Sequence, residues 1–386
     1  MKTLLNIASF ISVGLLTQSS FAASYTMGNL VVSRSGNGAA TLSGSAEPVF
    51  IDEYTTAGVN AGNTVALPVV ASGTNFTFTL GGTSTSVGQL TRSTDGKYLT
   101  MFGVDAPVGT SSPTASAAFP GRTVARIDSG GTVDTRTRFL GNGMTPRSAI
   151  STDGNSLWTT GDTGSGTTGG LRYNTLGSTV NGTLLTDAAF TTNLRFANIF
   201  NGQLYVSSSS ATASVASRGV NKIGTGIPTT GGNAGVNLIG GGASGAGLAD
   251  STYDFLFGDA NTAYLADDST TVPGIQKWSF NGTSWVKLWN LTPAGTTGVR
   301  SLTSTTDATG QITIYAVTGV STGSNAIVSL LDTLSSSTAP LASAYVTVAT
   351  APANTAFSGI DFAPVPEPTT LGVVAGMMTL ARRRRA

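Results

Sequence analysis

Histidine and cysteine are both absent from the 386-residue chain. Without cysteine the chain cannot form disulfides, attack as a thiolate or bind a metal through thiolates. Without histidine it lacks the usual general base at neutral pH and the commonest metal ligand. These two absences exclude Ser-His-Asp, Cys-His and zinc-hydrolase chemistry. Carboxylate, tyrosine or lysine chemistry and cations with oxygen ligands stay open.

Charged residues are also scarce: they make up 10% of the chain, against about a quarter in an average protein. The terminal segments hold five of the 20 basic residues, Lys2 and Arg382–Arg385, but only one of the 19 acidic residues, Glu367. The body between them therefore carries a net charge of −3. A mildly acidic body gives no electrostatic reason to expect nucleic acid as a partner.

The N-terminus has the parts of a secretory signal peptide in their usual order. Lys2 supplies a short positive region, Leu4–Leu16 is apolar, and Ser20 and Ala22 are small residues at −3 and −1 of a cut before Ala23. The apolar stretch is well short of the ~20 residues that a membrane-spanning helix needs. We expect residues 1–22 to be removed on export.

The C-terminus combines three features in order: a Pro-Glu-Pro motif, the apolar segment Leu371–Ala381, and four consecutive arginines. This tail resembles the PEP-CTERM sorting signal of Gram-negative, exopolysaccharide-producing bacteria. The residues that match the signal are Pro366, Glu367 and Pro368 of the motif and the arginines Arg382, Arg383, Arg384 and Arg385.

The resemblance implies recognition and cleavage near Pro-Glu-Pro by an exosortase-type membrane protease. The four terminal arginines favour the cytoplasmic face of a membrane. The eleven apolar residues are short for a full bilayer, as expected of a transient anchor. A simple tail anchor is the alternative interpretation. The chain is thus predicted to consist of a signal peptide (1–22), a body (23–364) and a sorting tail (365–386).

The body contains a repeat. Each copy has a polar turn that begins with Asp or Asn, followed by a strand of alternating apolar residues. The turns begin at Asp95, Asp153, Asn201, Asp259 and Asp307, with spacings of 58, 48, 58 and 48 residues. Spacing near 50 residues with hairpin turns is typical of radial β repetition, and each copy has room for four antiparallel strands, which make one propeller blade.

The first copy lacks its opening strand, and a leftover strand lies at the end of the body, in 356–362. Closing the first blade with this C-terminal strand would remove an open sheet edge, which is an aggregation hazard. We therefore predict an all-β fold: a single β-propeller with six four-stranded blades. Seven blades, or a β-sandwich array or solenoid, are the alternatives.

Arginines recur at one position of the repeat. Arg147, Arg195 and Arg300 lie six, six and seven residues before their turns, at the start of the innermost strand; Asp254 has a similar place, and Arg92 lies close to it in the second blade. The innermost strands of a propeller line its central channel, so these side chains would surround one opening of that channel. Converging guanidinium groups suit a carboxylate, phosphate or sulfated-sugar ligand. The alternative is that each arginine pairs with an aspartate or carbonyl and staples two blades.

Two further groups of residues could bind a ligand. Asp267 and Asp268 form a carboxylate pair that could hold Ca²⁺, but no Asp-x-Asp-x-Asp-Gly register follows them. Trp278, Trp285 and Trp289 could form a sugar-stacking platform, although their spacing favours packing between blades.

Two classes of function stay open. The first is a non-catalytic propeller at the cell surface or in the extracellular matrix, sorted by the exosortase-type protease and binding polysaccharide or another envelope component. The second is a secreted lyase or hydrolase that acts on a polysaccharide. The absence of histidine, and of two carboxylates placed to act as acid and base on one bond, favours the first class.

Overall fold

The computed structural model describes residues 24–141, 144–162, 169–187, 190, 193–209, 218–241, 249–319 and 325–367. These residues contain no α-helix, and their regular structure is almost entirely β-strand. Six antiparallel sheets of four strands each form the blades of a six-bladed β-propeller. The all-β prediction and the count of six blades are confirmed. The predicted signal peptide and most of the predicted sorting tail lie outside the described residues.

The first blade joins the two ends of the body. It contains β1 (Leu30–Ser35), β3 (Val49–Tyr54), β4 (Asn60–Ala66) and the last strand, β26 (Ala356–Phe362). A small separate sheet pairs β2 (Ala46–Glu47) with β5 (Leu80–Gly81).

The other five blades follow in chain order, and in each the first strand is innermost. Blade 2 contains β6 (Leu90–Arg92), β7 (Tyr98–Val104), β8 (Gly121–Asp128) and β9 (Val133–Leu140). Blade 3 contains β10 (Thr145–Ser151), β11 (Ser156–Asp162), β12 (Gly170–Thr175) and β13 (Thr183–Leu184). Blade 4 contains β14 (Leu194–Phe200), β15 (Gln203–Ser208), β16 (Gly219–Ile223) and β17 (Gly235–Gly240). Blade 5 contains β18 (Thr252–Phe257), β19 (Thr262–Asp267), β20 (Gly274–Phe280) and β21 (Trp285–Leu291). Blade 6 contains β22 (Val299–Thr306), β23 (Gln311–Thr318), β24 (Ala326–Thr333) and β25 (Val346–Thr350).

The repeated Asp/Asn turns join the first two strands of blades 2 to 6. In blade 3, Asp153 Oδ1 accepts hydrogen bonds from the backbone N–H of Asn155 (2.9 Å) and Ser156 (2.8 Å). In blade 4, Asn201 and Gly202 have φ of 48° and 71°. Asparagine and glycine tolerate this left-handed region, and a pair of such residues matches the twist of a tight hairpin. The turn chemistry is therefore the physical basis of the repeat.

The hydrophobic core lies between blades. A blade is buried on both faces, and successive residues of a strand point to opposite faces. In β7, for example, Leu99 and Met101 pack in the core shared with blade 1, whereas Phe102 packs in the core shared with blade 3. One apolar cluster fills each of the six interfaces of the described propeller, so each blade is held by its two neighbours.

The last strand closes the ring. β26 pairs with β1 in antiparallel register from Leu30↔Phe362 to Ser35↔Ala356. It also contacts β22 of blade 6 and β6 of blade 2, so the innermost strands form a continuous circle. The predicted closure by the C-terminal strand is confirmed.

Candidate functional site

As in β26 of blade 1, the innermost strands of blades 3 to 6 are bulged near their first residues. The strand register shifts between Pro146 and Ser148, between Leu194 and Ala197, between Thr252 and Phe255, and between Val299 and Ser301. A bulge leaves an extra residue unpaired and turns its side chain away from the regular alternation. The residues at these bulges include Arg147, Arg195, Tyr253 and Arg300, which we call the arginine cluster.

Serine and threonine hydroxyl groups form hydrogen bonds with the backbone N–H and C=O groups that the bulges leave unpaired. Thr160 Oγ1 donates to the carbonyl of Arg195 at 2.9 Å. Ser207 Oγ accepts from the N–H of Phe196 at 3.0 Å and donates to the carbonyl of Tyr253. Ser148 Oγ accepts from the N–H of Ala197 at 3.0 Å. Buried backbone groups need such partners, so the bulges are fixed features of the channel.

Tyr253 lies at the centre of the cluster. The guanidinium carbon of Arg195 is 4.0 Å from the centroid of its ring, and that of Arg300 is 5.7 Å away. The Tyr253 side chain is 4% exposed. Two cations from blades 4 and 6 thus share one aromatic ring from blade 5, an arrangement that attracts each guanidinium to the ring.

Arg147 completes the cluster from blade 3. Its Nη1 donates to the carbonyl of Ser86 at 3.2 Å, and its Nη2 donates to Asn193 Oδ1 at 3.3 Å and lies 3.7 Å from Asp162 Oδ2. Burial, and secondarily the positive charge of Arg195, lower the pKa of Arg147 to about 10. The side chain is therefore still cationic at neutral pH, beside a second cation.

The cluster retains unused hydrogen-bond donors. Arg300 Nε pairs with Asp268 Oδ2 at 3.0 Å, and Arg195 Nε donates to Ser209 Oγ at 3.0 Å. Arg147 Nε and Arg195 Nη1, by contrast, are buried without an acceptor among the described residues. Arg300 thus has the ion pair expected of a staple, whereas the other two arginines are only partly paired. With Asp162 and Asp268 the three arginines leave a local net positive charge.

Asp254 lies apart from this cluster. Its Oδ2 accepts from Ser301 Oγ (3.0 Å) and from the N–H of Leu302 (2.7 Å), and it is 1% exposed. It lines a cavity of ≈ 160 Å³ together with Arg92 and Asp361. Burial raises the pKa of Asp254 well above its usual value, and burial also raises that of Asp361. Asp254 therefore joins blades 5 and 6, and Tyr253 occupies the place beside the arginines.

The repeat does contain the signal for Tyr253. Counting six residues back from Asp259 gives Tyr253, the same offset as for Arg147 and Arg195. An arginine search passes over it because the residue type differs. At the bulge the side chains of Tyr253 and Asp254 point in different directions. The sequence alone does not reveal this, because the two residues are adjacent in it.

The carboxylates of Asp267 and Asp268 are occupied by protein donors. Asp267 accepts from the N–H groups of Ser251 (3.0 Å) and Ser269 (2.8 Å), and burial raises its pKa to about 6. Asp268 pairs with Arg300 and accepts from Ser251 Oγ at 2.7 Å. Within the described ranges no group of three or more acidic residues is placed to hold a metal ion.

The three tryptophans separate into two environments. Trp278 and Trp289 are 3% and 7% exposed and lie in the cores on either side of blade 5. The packing favoured by their spacing is therefore found for these two. Trp285 is partly exposed and lines a surface depression at the interface of blades 4 and 5.

The first residues of the predicted sorting tail contact the propeller. Val365 N–H donates to the carbonyl of Gly96 at 2.8 Å, and Tyr98 donates its hydroxyl hydrogen to Glu367 Oε1 at 2.8 Å. Lys97 Nζ lies 3.8 Å from the same carboxylate. Glu367 of the Pro-Glu-Pro motif thus rests on the first turn of blade 2. Pro368 and the four arginines of the tail lie outside the described residues, and no membrane-spanning helix occurs within the described ones.

Comparison with known proteins finds only distant structural similarity. No family model and no curated protein match the chain. AztD from Citrobacter koseri is 8% identical, with a TM-score of 0.34 over 83% of this chain and 70% of its own. A glucose dehydrogenase is 9% identical, with a TM-score of 0.42 over 80% and 98%. AofleA from Arthrobotrys oligospora is 12% identical, with a TM-score of 0.41 over 90% and 93%. At these values nothing about ligand or activity follows.

Proposed function

We propose that this chain is an exported cell-surface or matrix protein of a Gram-negative bacterium whose propeller binds an anionic ligand without chemical turnover. The observation that carries the binding proposal is a pair of buried donors, Arg147 Nε and Arg195 Nη1, that have no acceptor in the part of the chain that the structure describes. A buried donor without an acceptor costs about 1–3 kcal/mol, so an incoming oxyanion recovers that free energy.

The ligand that suits this cluster carries a carboxylate, phosphate or sulfate group. Guanidinium groups present planar donor pairs that match such anions, and the local positive charge favours them. An acidic extracellular polysaccharide offers many such groups on one chain.

A catalytic function has less support. A lyase or hydrolase needs a general base within reach of its substrate. The carboxylates nearest the guanidiniums, Asp162 and Asp268, lie in ion pairs with Arg147 and Arg300. Tyr253 is buried beneath two arginines. The cluster is therefore better suited to holding an anion than to abstracting a proton.

Binding to polygalacturonate and to dextran sulfate, measured by calorimetry, tests the ligand proposal. We expect Arg147→Ala or Arg195→Ala to weaken binding of the recognised polymer by about 1.5–3 kcal/mol, the usual contribution of a charged hydrogen bond. Added salt should weaken it further, because partly exposed charges are screened. Arg136→Ala is the matched control, since its side chain is 47% exposed on an outer strand and pairs with Asp134.

Melting temperatures of the same variants separate binding from stapling. If Arg147→Ala and Arg195→Ala melt at lower temperature yet bind both polymers as the parent protein does, the arginines are structural and the binding proposal is wrong.

Sorting by an exosortase-type protease is proposed from the tripartite tail. Deleting residues 371–386 should release the protein or misplace it in a host that has the protease. Mass spectrometry of the protein isolated from the envelope should find the C-terminus near Pro-Glu-Pro. A mature protein that still carries Arg382–Arg385 would contradict the processing step.

A further inference from the structure

A second surface feature lies at the other end of the innermost strands. Phe200 ends β14 and Phe257 ends β18, whereas Arg195 and Tyr253 lie near the starts of the same strands. A depression of ≈ 290 Å³ between blades 4 and 5 includes both phenylalanines. We call it the aromatic cleft; its lining includes Phe200, Asn201, Tyr205, Phe257 and Trp285.

Phe257 lies at the centre of the aromatic cleft. Its ring centroid is 4.8 Å from that of Phe200, 4.9 Å from that of Tyr205 and 5.9 Å from that of Trp285. All four side chains are partly exposed. Deeper in the same interface, Phe255 is fully buried. The core between blades 4 and 5 is therefore already filled, and the cleft is an additional aromatic surface above it.

The fold does not require aromatic residues at these places. Phe200 directly precedes the turn residue of its blade, and the equivalent position is threonine in three other blades: Thr94, Thr152 and Thr306. Phe257 lies two residues before its turn, where three other blades have Ser93, Ser151 and Thr305. Small hydroxyl residues thus suffice for the turn. Aromatic side chains at a solvent-facing turn favour association with a ligand.

We propose that the aromatic cleft binds one or two rings of a neutral saccharide. The C–H face of a pyranose packs against aromatic rings, and the Asn201 amide and Tyr205 hydroxyl supply polar atoms for its hydroxyl groups. Among the described residues no charged side chain lines the cleft, so a ligand would find no ion pair there. Its volume lies near the lower limit for small-molecule pockets, which begins at about 300 Å³. The proposal is independent of the arginine cluster.

A printed array of neutral hexose and N-acetylhexosamine oligosaccharides, followed by calorimetric titration of the strongest binder, tests this site with the purified protein. Phe200→Thr installs the residue that three other blades hold, so we expect it to fold normally. It and Trp285→Ala should each weaken binding by about tenfold or more, since stacking on an aromatic ring contributes on that scale. Arg136→Ala, an exposed position on β9 of blade 2, should leave this affinity unchanged.

Three results would overturn the proposal. The first is no binding to any neutral glycan on the array. The second is equal affinity of Phe200→Thr, Trp285→Ala and the parent protein for the glycan that binds. The third is binding of choline chloride that Trp285→Ala abolishes while the neutral glycans do not compete for it, since that result would make the cleft a cation site.

Discussion

Truncation of the chain after Thr355 is expected to abolish cooperative folding, because it removes β26. That strand contributes Phe357, Ile360 and Phe362 to the core between blades 6 and 1, where they are 3%, 1% and 6% exposed. Burial of three such side chains contributes roughly 5 to 9 kcal/mol, which is comparable with the whole stability of a typical domain, about 5–15 kcal/mol. The loss also leaves β1 as an open edge, which promotes aggregation.

Thermal unfolding followed by circular dichroism, with light scattering, measures this effect. The matched control is truncation after Glu367, which keeps β26 and the contacts of Val365 and Glu367 with blade 2. The control should melt like the full chain. If the two truncated proteins melt cooperatively at the same temperature, closure by β26 does not stabilise the propeller.

Asp332→Ala is expected to cost about 3–5 kcal/mol, the usual penalty for leaving a buried charge without its partner. Asp332 on β24 accepts from Lys277 Nζ at 2.8 Å and from the hydroxyl of Tyr264 at 2.6 Å. Lys277 is fully buried and also donates to the carbonyls of Thr333 and Ser336. Burial, with the hydrogen bond to Asp332, raises the pKa of Tyr264. Blades 5 and 6 are thus joined through one buried polar network.

Chemical denaturation at neutral pH measures this cost. A double variant, Lys277→Met with Asp332→Asn, removes both charges and keeps an acceptor for Tyr264, so it should be more stable than Asp332→Ala alone. If Asp332→Ala unfolds at the same denaturant concentration as the parent protein, the network does not contribute to the stability of the interface.

The propeller was predictable because its turns are local. Asp153-Gly154 and Asn201-Gly202 are hairpin signals that a short stretch of sequence carries by itself. Their spacing gave the blade count, and the strand missing from the first blade matched the strand left over in 356–362. Both inferences depend on order along the chain, which the fold preserves.

The contacts of the arginines were not predictable in the same way. Arg147 meets Ser86 and Asn193, which are 61 and 46 residues away in the chain and lie in connecting segments. The spacing of the repeat predicts the position of each arginine on its strand. It does not predict which loop residue contacts the arginine side chain. The bulges add a second uncertainty, because one extra residue changes the face to which a neighbour points.

The aromatic cleft was hidden for a different reason. Phe200 and Phe257 look like ordinary core residues at the ends of apolar strands. Their partial exposure follows from the packing of two blades whose residues lie far apart in sequence. Comparing each position with its equivalents in the other blades is the sequence operation that distinguishes them, since three of those equivalents are serine or threonine.

Nuclear magnetic resonance of the arginine side chains tests anion binding most directly. With ¹⁵N-labelled arginine, the Nε–H signal of Arg147 and the Nη–H signals of Arg195 are followed as sodium sulfate or sodium galacturonate is added against sodium chloride at equal ionic strength. We expect these signals to shift saturably with sulfate or galacturonate, since N–H groups that have no acceptor among the described residues would donate to the oxyanion. The exposed Arg136 should not shift. Shifts absent from Arg147 and Arg195, or equal and unsaturable at all arginines, would contradict the account.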